Sequence, residues 1–113
     1  MALALNAYKT ITKVASTSPV GIYTAPTGYS SIVLLAQVAN VGSETYTVTV
    51  SHQRSTTGTA VTTEIVKNVP VSANDTVSIT NGKLVLESND ILVLSGNNAS
   101  NLKCIVSVLE TLN

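Results

Sequence analysis

Tryptophan and phenylalanine are absent from the 113 residues, and four tyrosines supply all the aromatic content. Charge is scarce too. It stands at 11%, against about 25% in ordinary soluble domains, and six Lys and Arg balance six Asp and Glu. No basic cluster is left to hold nucleic acid or an anionic membrane surface. The single cysteine, Cys104, excludes an internal disulfide and any multi-cysteine metal site. No apolar run approaches the roughly 20 residues of a membrane-spanning helix. Met1 to Leu5 lacks a basic start and is shorter than a signal-peptide core. Disorder requires low hydrophobicity with high charge, and a chain that is 44% hydrophobic has the reverse.

What is present is Val, Thr and Ser, with 16, 16 and 13 copies. The length suits one domain spanning 1–113, able to bury a real core. Val and Thr branch at Cβ, which favours a pleated sheet over a helix. Thr45 to His52 puts Tyr46, Val48, Val50 and His52 at even positions and Thr or Ser at odd ones, the pattern of a half-buried strand. Further strands are expected at Tyr8–Ala15, Val20–Thr24, Ser30–Val41, Ala60–Val71, Thr76–Thr80, Lys83–Glu87, Asp90–Ser95 and Leu102–Leu109. Ser30–Val41 is apolar on both faces for its first half and reads as a central strand. Pro70 demotes the end of its strand to a sheet edge or terminus. Asn81-Gly82 signals a two-residue hairpin turn. In the segment Ala25-Pro26-Thr27-Gly28, Pro26 is expected to set the first corner of a turn and Gly28 to free its exit. The fold class that follows is all-β, an antiparallel β-sandwich of eight or nine strands with jelly-roll-like or related topology. Residues 1–7 precede it as a candidate N-terminal arm.

Catalytic constellations are sparse. His52 is the one imidazole and falls on the inward face near a strand end, where it reads as structural. Cys104 sits mid-strand among Leu102, Val106 and Val108 and reads as a small hydrophobe. Glu44, Asp75, Glu87, Asp90 and Glu110 lie in turns or near strand ends and read as solvated surface, with Glu64 inside a looser strand. The glycines fall singly at turns, without a phosphate-cradling loop, and the Gly96-Asn97-Asn98 loop offers amides rather than a calcium-binding acid cluster. The expectation is a non-enzyme without metal or cofactor. Tyr23 and Tyr29 are the residues to weigh as a sugar platform.

Low surface charge with no net charge favours self-association. The segment Ile22-Tyr23-Thr24-Ala25-Pro26-Thr27-Gly28-Tyr29-Ser30-Ser31-Ile32-Val33-Leu34, with Gln37-Val38-Ala39-Asn40-Val41 behind it, resembles small all-β virion proteins of tailed bacteriophages, especially aquatic and cyanobacterial ones. Val69-Pro70-Val71, Gly82 to Glu87 and Asp90 to Ser95 look similar as well, so the likeness spans about residues 20 to 110. It implies a capsid decoration, or cement, protein: a homotrimer placed on the capsid surface of the virion, made in the host cytoplasm, and bound to the major capsid protein or another virion protein. Its motifs are turns and strands, and they carry no functional residue. Met1, Leu3, Leu5, Tyr8, Tyr23 and Tyr29 are the interface candidates. A tail, baseplate or fibre part with a structural or host-adhesion role is the alternative reading, and a non-catalytic carbohydrate-binding module is a further one.

Overall fold

The structure, a computed structural model, describes residues 6–54 and 60–113. Among these residues nine strands run in order as β1 (Asn6–Val14), β2 (Val20–Thr24), β3 (Tyr29–Asn40), β4 (Tyr46–Arg54), β5 (Val61–Val71), β6 (Thr76–Ser78), β7 (Leu84–Leu86), β8 (Ile91–Gly96) and β9 (Leu102–Leu112). Every expected strand is found, with bounds that differ by up to three residues. No helix occurs among the described residues, as the surplus of β-branched side chains demands.

Two antiparallel sheets form. The first has the order β1-β9-β3-β6, with β7 also paired to β3, and the second has the order β2-β8-β4-β5. The chain passes from one sheet to the other at most connections, and these orders make a jelly roll once β6 and β7 are counted as one interrupted strand. Pro70 lies next to the end of β5, the edge strand of the second sheet, a position where proline is tolerated.

The Asn81-Gly82 hairpin is not formed. β6 pairs with Gln37–Ala39 and β7 with Ser31–Val33, both antiparallel to β3, so they run in the same direction along one edge. Neither Asn81 nor Gly82 takes a positive φ. Long-range pairing outweighs the local turn signal here: Ile79, 5% exposed, drops into the core while its N–H donates to the Ala36 carbonyl at 2.8 Å. The Pro26 turn is also shifted by one. Tyr29 N–H donates to the Pro26 carbonyl at 3.0 Å. Thr27 and Gly28 are therefore the corner residues, and Gly28 has the φ of 85° that favours glycine.

The core is aliphatic. Val33, Val38, Val48, Leu86, Leu92, Leu94, Leu102, Val106 and Val108 are each at most 2% exposed, and burying each such side chain contributes about 1.5–3 kcal/mol. The sheets approach closely enough that a Cβ on Gly96 would stand 2.6 Å from Leu102 Cδ1 and 3.0 Å from the Thr47 carbonyl oxygen. One end of the sandwich, here the upper end, carries the loops 25–28 and 87–90 with the start of β1 and the end of β9. The lower end carries the loops 15–19, 41–45, 72–75 and 97–101.

Candidate functional site

Ionisable groups collect at the upper end, and two of the carboxylates expected on the surface are buried there. Asp90 is 1% exposed and Glu110 is 4% exposed. Each continues an inward-facing row, Asp90 before Leu92 and Leu94, Glu110 after Val106 and Val108. A buried carboxylate needs donors to offset its lost hydration. Here each has them.

Glu110 joins the two sheets. Its register row on the first sheet is Ala7, Glu110, Ser31 and Leu86. Tyr23 reaches across from β2, donating to Glu110 Oε2 at 2.5 Å and meeting Ser31 Oγ at 2.7 Å. Lys9 of β1 lies 3.0 Å from Glu110 Oε1 and keeps half its own side chain in solvent. Burial, reinforced by the bond to Glu110, pushes the Tyr23 phenol up to about 12.

Asp90 organises the second cluster. Its Oδ2 lies 2.9 Å from His52 Nε2, accepts the Glu87 N–H at 2.9 Å and stands 3.5 Å from Arg54 Nε. Arg54 extends outward to Glu87 Oε2 at 2.6 Å, an ion pair between half-exposed groups. Asp90 Oδ1 accepts no hydrogen bond among the described residues. His52 is thus inward-facing, half-buried and tied down, as its even position in β4 implies.

A nucleophile with a free base would be needed for covalent catalysis. Ser31 Oγ is completely buried and bonded to Tyr23. Cys104 is 4% exposed, and burial pushes its thiol up to about 11. No group of three or more metal-ligating side chains occurs among the described residues. Both clusters act as clasps between strands and loops.

The interface candidates separate. Met1, Leu3 and Leu5 lie outside the described residues. Tyr23 is interior, with its hydroxyl engaged, and so offers no surface to a sugar or a partner. Tyr29 is half-buried at the start of β3. Tyr8 is 77% exposed on the outer face of the first sheet. There the register aligns Tyr8 with Leu109, Leu109 with Ile32, and Ile32 with Val85, an apolar row crossing β1, β9, β3 and β7. Beside it, a bulge between Val33 and Leu35 leaves Leu34 and Leu35 39% and 37% exposed. The central strand is therefore apolar on its outer side without being covered. Below the row, a shallow depression of about 490 Å³ is lined by Thr12, Lys13, Val14, Ala39, Lys103, Cys104 and Ile105.

No protein-family model matches the chain, and no curated protein matches it. The fold itself is shared. A chain of the acidic stable capsid structure of Helicobacter pylori bacteriophage KHP30 superposes with a TM-score of 0.54 at 17% identity, covering 96% of this chain and 89% of the other. A chain of the Bacillus endospore appendages, described as disulfide-linked pili, superposes with a TM-score of 0.51 at 16% identity, covering 96% and 88%. At these identities the likeness establishes the sandwich fold over nearly the whole chain.

Proposed function

We propose that this chain is a structural virion protein of a tailed phage, a decoration protein that binds the assembled capsid shell and works in more than one copy. The observation that carries the reading is the fold held in common with a phage capsid chain over 96% of the length. Buried polar groups committed to clasping strands, rather than to a cleft, agree with a part that works by packing. The pilus likeness supports assembly more generally. Its disulfide linkage has no counterpart here, because the one cysteine is interior with a raised thiol. Binding would come from apolar area and shape, multiplied over many copies. Catalysis has no part in it.

Sedimentation with purified empty capsids is the test. The expected result is saturable co-sedimentation at a fixed ratio to the major capsid protein. A chain that neither sediments with capsids nor occurs in virions overturns the reading. Location on the tail or baseplate by electron microscopy replaces the decoration role with the alternative one.

A further inference from the structure

We infer that the outer face of the first sheet is where a second copy of this chain docks, face to face. The inference rests on the reading of the chain as a repeated building part, and it names the surface that does the joining. Three observations point to it.

The sheet edges are guarded. β1 turns Lys9 toward the inner side, where it meets Glu110, and carries Lys13 exposed near its end. An inward-pointing charge on an edge strand resists pairing with another strand. β5 carries Pro70, Lys67 and two register breaks. β2 has only five residues, with a break at Gly21, and β6 and β7 have three residues each. Short, bulged, charged or proline-bearing edges are the usual devices against edge-to-edge association. Assembly through the backbone is thereby disfavoured at every edge. The faces remain.

The outer face of the first sheet lacks charge where the row lies. The residues that the register places on it are Asn6, Thr111 and Ser30, then the row Tyr8, Leu109, Ile32 and Val85, then Thr10, Ser107 and Leu35. Two lower rows follow, and among all these paired residues Lys103 is the one charged side chain. Lys83 stands at the rim between β6 and β7. A two-fold axis across the middle of the face, at the level of Ser107, overlaps the two faces in full and sets the apolar row of each copy on the row of Thr12, Ile105, Gln37 and Ser78 of the other. Lys103 lies four residues from Ser107 along β9, so the two copies of Lys103 fall about 27 Å apart, beyond the reach of screened repulsion. The outer face of the second sheet offers no such row, since Glu64, Ser51, Gln53 and Thr62 interrupt it.

The area is sufficient. Four strand positions by the eleven residues of β9 give a footprint of about 19 by 36 Å, on the order of 700 Å² per copy. Two such faces approach about 1,400 Å², within the range of about 1,200–2,000 Å² that specific interfaces bury. A two-fold contact is isologous and closes after two copies.

The experiment is sedimentation equilibrium of the full chain without capsids, over a concentration series. Wild type is expected to run as two copies at about 10 µM, a concentration at which interfaces of this size commonly hold. Tyr8→Lys combined with Val85→Lys is expected to raise the dissociation constant about 100-fold or more, because both ends of the row become charged. Tyr8 and Val85 are 77% and 54% exposed, so the thermal midpoint of the separated chains should hold. Tyr8→Ser with Val85→Ser serves if the lysine variant fails to fold, and should weaken pairing by about 10-fold. Val61→Lys, at a 60% exposed position on β5, should leave pairing unchanged. A single copy for wild type at about 100 µM, three copies as the sequence resemblance implies, or unaltered association in the row variants overturns the proposal. Capsid binding is read separately, so failure of either result leaves the other standing.

Discussion

At the lower end of the sandwich, one buried amide does what a buried carboxylate does at the upper end. Asn40, 1% exposed, donates from Nδ2 to the carbonyls of Glu44 and Val71 at 2.6 and 2.9 Å and accepts the Gly42 N–H at 2.9 Å. Asp90 is equally buried but holds its loop and β4 with a carboxylate, one oxygen serving His52, Arg54 and a backbone N–H. The lower end continues in amides, with Asn97 accepting the Thr47 N–H and Asn98 accepting two N–H groups of its own loop. The difference is one of cost. A neutral amide loses little hydration and can be fully satisfied by backbone, whereas a carboxylate must keep its cationic partners or leave an uncompensated charge.

Removing each anchor tests that contrast. Asp90→Ala should cost the most, about 3–5 kcal/mol, because His52 and Arg54 lose a buried partner; urea unfolding would measure it, and a loss below that of Asn40→Ala would refute the contrast. Asn40→Ala should cost about 2–3 kcal/mol by leaving buried backbone groups unpaired. Because an amide does not titrate, that loss should be the same at pH 6 as at pH 8.

Tyr23→Phe should cost about 1–2 kcal/mol at neutral pH through the lost bond to Glu110. Its phenol is raised from 10.0 to about 12 in the fold, so the folded state favours the neutral form. The contribution is whole below pH 10 and disappears as pH rises through 12. Wild type should accordingly lose more stability than Tyr23→Phe between pH 9 and pH 11, as denaturant midpoints would show. Smallest of all, Glu87→Gln should change stability by about 0–1 kcal/mol, less at high salt, since its pair with Arg54 is largely in water.

Much of the upper cluster was legible in the chain. His52 follows Val48 and Val50, Asp90 precedes Leu92 and Leu94, and Glu110 follows Val106 and Val108, all at even positions on inward rows. Extending the alternation by one step would have assigned both carboxylates to the interior. Their position at strand ends points instead to solvent, and this is where the expectation failed. The partners were not legible. Tyr23 meets Glu110 across 87 positions and His52 meets Asp90 across 38, and a period-two pattern carries no information about which strands become neighbours. The outer row was hidden for another reason: Ile32 to Leu35 reads as doubly buried until the bulge turns two leucines outward.

The strands, their inward parity, the aliphatic core and the lack of charge were determined by the sequence, because side-chain alternation and β-branching act within a few residues. Strand order, the passing of Asn81-Gly82 without a hairpin, and the gathering of Tyr8, Leu109, Ile32 and Val85 into one row were decided by the tertiary structure. Those features depend on which distant segments share a ladder, and the gain from packing two whole sheets outweighs any single turn preference.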